Sequence, residues 1–132
     1  MQTETDLLRV VLYCRGNTET EHKLLETVRN VVPGDRISHY QDMAGISQTL
    51  ATPGSKILVI VIQDSGELDA FVRIREQLQD RAIILILPDD GPEIMHRSLA
   101  LYPKYISNSR TQFTDVGLVL EKIIQHRKYG GE

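Results

Sequence analysis

The chain has 132 residues, 41% hydrophobic and 25% charged, with a net charge of −3 and a single cysteine. That length allows one domain with a real core, and the composition is that of an ordinary globular protein. The charge balance gives no electrostatic footprint for nucleic acid or an anionic membrane, no apolar run approaches the ~18 residues of a membrane span, and one cysteine excludes an internal disulfide framework.

Strand-like and helix-like segments alternate five times, over one domain spanning 1–132. Leu7 to Cys14 is the first apolar run, broken by Gly16 and Asn17. Thr18 and Glu21 then stand at capping-box spacing before a stripe of Leu24, Leu25, Val28 and Val32. Pro33 and Gly34 stop that helix. Arg36 to Tyr40 reads as a short edge strand with Ile37 inward. Asp42 caps a helix carrying Met43, Ile46 and Leu50, which Pro53 and Gly54 end.

The third and fourth strands carry the strongest signal. Ile57 to Ile62 and Ala82 to Leu87 are six-residue apolar runs without polar alternation. Such runs suit strands covered on both faces, as in a parallel sheet. Each ends in acid, at Asp64 after the first and at Asp89 and Asp90 after the second. Asp64 or Ser65 caps a helix expected from Glu67 to Gln79, with Leu68, Phe71, Ile74 or Val72, and Leu78 inward. Pro92 opens the next helix, which carries Ile94, Met95, Leu99 and Leu101 and stops at Pro103. Lys104 to Ser107 is a short fifth strand. A last helix begins at Phe113 to Asp115, with Val116, Val119 or Leu120, Ile123 and Ile124 inward. His126, Arg127 and Lys128 lie in its final turn, where cations suit the helix dipole, and Gly130 and Gly131 end it.

Five βα units with right-handed crossovers predict an α/β three-layer α/β/α sandwich: a flavodoxin-like (βα)5 fold with a five-stranded parallel sheet in the order 2-1-3-4-5. Ligands of such sheets bind beyond the carboxyl ends of the strands, at the switch point between the first and third. Its loops here are Cys14 to Thr18 and Gln63 to Gly66.

This pattern, at this length and spacing, resembles the receiver domain of bacterial response regulators. The resemblance implies an aspartate phosphoacceptor at the end of the third strand, two acids after the first strand that hold Mg²⁺, a Ser or Thr ending the fourth strand, and a Lys ending the fifth. Residue by residue, the match is incomplete. Tyr13, Cys14, Arg15 and Gly16 end the first strand without a carboxylate. Asp64 stands at the third. Leu87 and Pro88 stand at the fourth, and Asn108 takes the place of the lysine, with Ser109 where proline often follows. Mg²⁺ wants carboxylate and phosphate oxygens, and Arg15 would repel it. Without metal and lysine, a transferred phosphoryl group lacks its charge stabilisation.

The expectation is a degenerate receiver, not an enzyme, which acts in signal transduction by binding protein. A histidine kinase or effector domain is the kind of partner the resemblance implies, in the cytoplasm of a bacterium and with no membrane or nucleic acid bound by this domain. Two alternatives stay open: a working phosphoreceiver with Asp64 as acceptor, and a small phosphoryl-transfer subunit using Cys14. The stretch Cys14 to Thr20 looks faintly like the phosphocysteine loop of sugar phosphotransferase B subunits, and a thiol before a helix N-terminus is placed to have a lowered pKa. It lacks the Cys-x5-Arg spacing of small phosphatases, and a packed strand-end cysteine is the plainer reading. A small-ligand or nucleotide binder is a weaker third reading.

Asp64 has a plain role as a helix cap, and Asp89 and Asp90 as loop acids near a helix N-terminus. No cofactor is expected, and a divalent cation only if Asp64, Asp89 and Asp90 cluster. His22, His39, His96 and His126 have no metal-ligand spacing, and no G-x-G-x-x-G, P-loop or G-x-S-x-G motif occurs. Met95, Leu99, Leu101, Tyr102 and Tyr105, with Tyr129 of the last helix, are expected to form a partner surface over residues ~93–106, because Tyr and Met are enriched at interface cores. A homodimer is one form that contact would take.

Overall fold

The computed structural model describes residues 8–16, 18–108 and 112–129, with the side chains of 18 and 127–129 excepted. The expected roles of the Thr18 cap, Arg127, Lys128, the Tyr129 ring, Ser109, and Gly130 and Gly131 lie outside the described residues.

Five strands, β1 (Arg9–Tyr13), β2 (Ile37–Tyr40), β3 (Lys56–Val61), β4 (Ala82–Leu87) and β5 (Tyr105–Asn108), form one parallel sheet. Its order is β2-β1-β3-β4-β5, as the apolar pattern predicts. Every residue of β3 and β4 is buried, which is why neither strand alternates in polarity. β2 and β5 are the edges, and every residue of β2 is half-buried.

Helices α1 (Thr18–Arg29), α2 (Met43–Ala51), α3 (Ser65–Arg73), α4 (Arg75–Leu78), α5 (Pro92–Ser98) and α6 (Thr114–Tyr129) complete the layers. Alternate strand residues feed two cores. Val10, Leu12, Ile57, Val59 and Ile84 pack with Leu24 and Val28 of α1 and Val116 and Leu120 of α6. Val11, Tyr13, Leu58, Ile60 and Leu85 pack with Ile46 and Leu50 of α2 and Leu68 and Phe71 of α3. The Tyr13 and Phe71 rings meet edge to face at 5.0 Å.

Two elements depart from the periodicity. The helix expected over 67–79 breaks at Ile74 (φ −107°, ψ 22°), and the chain rewinds as α4. The segment holds neither Gly nor Pro. The break is therefore set by packing: it lets Ile74 and Leu78 both reach the core that holds Leu68 and Phe71. The helix expected to run through Leu101 ends at Ser98, and a 3-10 turn, Leu99–Leu101, follows it. Tyr102 closes this turn in the left-handed region (φ 51°), which is uncommon for a bulky residue. The tighter turn drives Leu101 into the core, where it is 4% exposed.

Candidate functional site at the switch point

β1 and β3 run side by side, with Tyr13 in register with Ile60. Their following loops therefore meet at one place. Asp64 caps α3, its Oδ1 accepting from the Glu67 backbone N–H at 2.9 Å. That cap starts the helix so that Glu67, three residues on, turns back toward the strand ends, reaching the N–H before the cap where a capping box would reach the cap's own.

Glu67 is the centre of the site. It is a carboxylate only 5% exposed, and buried carboxylates need full compensation. Its Oε1 accepts from the Gln63 backbone N–H at 2.7 Å. Its Oε2 accepts from the Tyr13 hydroxyl at 3.0 Å and faces Arg15 Nε at 3.3 Å. The Arg15 guanidinium also lies 3.9 Å from Asp64 Oδ2, where both side chains are more than half exposed. Gln63 Nε2 donates to the Arg15 carbonyl, joining the two loops a second time.

Burial first, and the Glu67 carboxylate second, push the Tyr13 hydroxyl up to about 12. A hydroxyl that keeps its proton is a constant donor to Glu67. The site is thus a closed set: one cation, two carboxylates and one phenol, held by two strand ends and one helix N-terminus.

Asp64 is the cap that the sequence suggests, and it sits beside Arg15. Cys14 is 1% exposed and belongs to the core between the sheet and α1 and α6, so its thiol does not front the loop. Its backbone N–H donates to the Tyr40 carbonyl at 3.2 Å. Asp89 accepts from the Gly91 N–H at 2.7 Å in an exposed turn, and Asp90 is exposed beside it. Asn108 ends β5, half-buried. Behind it, Tyr105 and Ser107 both donate to Asp115 Oδ2, at 2.9 and 2.8 Å. Among the described residues no three His, Cys, Asp or Glu side chains are grouped to hold a metal ion, so Asp64, Asp89 and Asp90 do not form that cluster. Nor does the donor set at the switch point suit Mg²⁺. Both Glu67 oxygens are engaged, and a guanidinium stands against the carboxylates a metal would use.

Of the expected partner-surface residues, Tyr102 is 86% and Leu99 55% exposed. Leu101 is core, Met95 packs partly against it, and the Tyr105 ring is half-buried with its hydroxyl on Asp115. Leu101 is therefore withdrawn from that surface by the 3-10 turn. Among the described residues no helix is long and apolar enough to cross a membrane.

Glu67 and Tyr13 are site residues that the receiver pattern does not name. The signal for Glu67 was present: Asp64-x-x-Glu67 before an apolar stripe has capping-box form.

Two solved structures share the architecture. A response regulator from Thermotoga maritima is similar with a TM-score of 0.60 and 12% identity, over 90% of this chain and 99% of that one. The fold is receiver-like. A putative pilus assembly-related protein from Burkholderia pseudomallei K96243 is similar with a TM-score of 0.63 and 13% identity, over 95% of this chain and 94% of that one. No family model matches the chain, and no curated protein matches it. At these identities the receiver-like likeness is one of fold, and the chemistry must be argued from the switch point itself.

Proposed function

We propose that this chain is a degenerate receiver domain that acts in signal transduction by binding other proteins, without Mg²⁺-dependent phosphorylation of Asp64. The observation that carries this reading is the position of Arg15. In the receiver pattern, acids after the first strand draw a divalent cation into the switch point. Here a side-chain cation stands there, 3.3 Å from Glu67 and 3.9 Å from Asp64.

A guanidinium offers charge and hydrogen bonds but no exchangeable coordination sites. A phosphoryl donor approaching Asp64 would meet neither a metal nor a β5 lysine, and phosphoryl transfer depends mostly on such positioning and charge. The resident cation also offsets one of the two carboxylate charges without a ligand, chiefly that of the buried Glu67. The switch point is then fixed in one arrangement, and what remains for the domain is its surface. The fold similarity to a response regulator supports the signalling class. The buried Cys14 thiol argues against the phosphoryl-transfer alternative, because a nucleophile must reach its substrate.

Calorimetric titration with MgCl₂ tests the reading. The expected result is no saturable heat at millimolar Mg²⁺ for the wild type. Saturable binding that is lost on Asp64→Asn would overturn it.

A further inference from the structure

At the opposite, amino-terminal end of the sheet, β4 and β5 begin beside a cleft of about 1070 Å³. Residues of both helical layers line it. Leu78 and Leu101 come from one core, and Val119 and Ile123 of α6 from the other side. These side chains make an apolar floor.

The rim is cationic. Arg75, Arg81, Lys104 and Lys122 line it, against two acids, Glu76 and Asp80. This local excess runs against a chain whose net charge is −3. Arg81 is held in place by main-chain carbonyls, with Nε on Gln77 O at 3.1 Å and Nη2 on Leu50 O at 3.2 Å. Those contacts fix the guanidinium without cancelling its charge. Among the described residues, none of Arg75, Lys104 and Lys122 has an ion-pair partner. Tyr102 adds an almost fully exposed ring on a left-handed backbone, and strained backbone persists where its surroundings fix it.

We infer that this cleft binds an acidic, amphipathic segment of a partner protein, its carboxylates on the rim cations and its apolar side chains on the floor and against Tyr102. The inference rests on the reading of this chain as a protein-binding module and names the chemistry of its partner. The cations come from α4, the start of β4, the approach to β5 and α6. Charges dispersed around an apolar floor match spaced carboxylates with apolar residues between them better than one compact anion. Complementary charge of this kind governs encounter and specificity.

The test is fluorescence anisotropy with a labelled synthetic peptide of alternating Glu and Leu or Phe, against the same peptide with Lys for Glu. The acidic peptide should bind saturably and more weakly as salt rises, and the basic peptide should not bind. The exposed pair Lys104→Glu with Lys122→Glu, with fold checked by circular dichroism, should weaken binding about tenfold or more, the scale of surface attraction turned to repulsion. Unchanged binding by that variant would overturn the inference. Equal binding of polyglutamate would overturn it too, since the floor would then contribute nothing. Saturable binding of ATP with none of the peptide would reassign the cleft to a small anion. A chain that ignores the peptide yet resists phosphorylation at Asp64 overturns this inference alone. Phosphorylation of Asp64 with peptide binding intact overturns only the reading it rests on.

Discussion

Glu67→Ala is the most informative single change to the fold. Three groups lose their acceptor: the Tyr13 hydroxyl at 3.0 Å, the Gln63 N–H at 2.7 Å, and Arg15 Nε at 3.3 Å. Tyr13 is buried, so its hydroxyl has little water to turn to. Each buried donor left unpaired costs about 1–3 kcal/mol. Arg15 is more than half exposed and is rehydrated, so its share is small. The two donors together cost about 3–5 kcal/mol. For a domain of this size that lowers Tm by about 10–20 °C. Glu67→Gln keeps one acceptor oxygen but turns an amide NH₂ toward a donor, and should cost about 1–2 kcal/mol. Urea unfolding followed by circular dichroism measures both. A double-mutant cycle with Tyr13→Phe should return a coupling of about 1–2 kcal/mol. An alanine variant within about 0.5 kcal/mol of wild type would refute the claim that Glu67 organises the switch point.

Because the Tyr13 hydroxyl is raised from 10.0 to about 12 in the folded state, its protonated form favours folding; that contribution is whole below pH 10 and fades as pH climbs through 12, so Tyr13→Phe should lose stability less steeply across that window in alkaline denaturation. Arg15→Asp removes the resident cation and sets a third carboxylate beside Asp64 and Glu67; the variant should be less stable than wild type and regain Tm as MgCl₂ is added, by the linkage of binding to folding, and a Tm indifferent to MgCl₂ would count against the reading of Arg15. Gly45→Ala would bring a Cβ within 2.4 Å of Tyr40 Cδ1 and should destabilise by about 1–3 kcal/mol in urea unfolding. If the domain self-associates through its exposed Leu99 and Tyr102, light scattering at high concentration should show a dimer that Tyr102→Glu dissolves; a wild type that stays monomeric leaves only an outside partner.

The sheet was readable because β3 and β4 lie between two helical layers, and a strand buried on both faces must be written as an unbroken apolar run. The order followed from the short, more polar edges β2 and β5. The break at Ile74 was not readable: Leu68, Phe71 and Leu78 keep helical spacing, and only their fit against the sheet decides where the chain rewinds. Leu101 misled for a similar reason. A continuous helix would have carried it onto the expected partner surface, and a 3-10 turn rotates it inward. At the switch point, Asp64 was legible as a cap because capping chemistry is local. The pairing of Glu67 with Tyr13 and Arg15 joins residues about fifty positions apart, which periodicity does not report. The rim of the amino-terminal cleft is scattered over residues 75–126, so its charge excess disappears in a chain of mixed charge.

The central claim is that Arg15 stands where a receiver would hold its metal, leaving Asp64 without the means to take a phosphoryl group. Incubation with acetyl phosphate and MgCl₂, followed by intact-mass spectrometry, measures this directly. The account predicts a single species at the unmodified mass. A stoichiometric adduct of phosphoryl mass, abolished by Asp64→Asn, would contradict it.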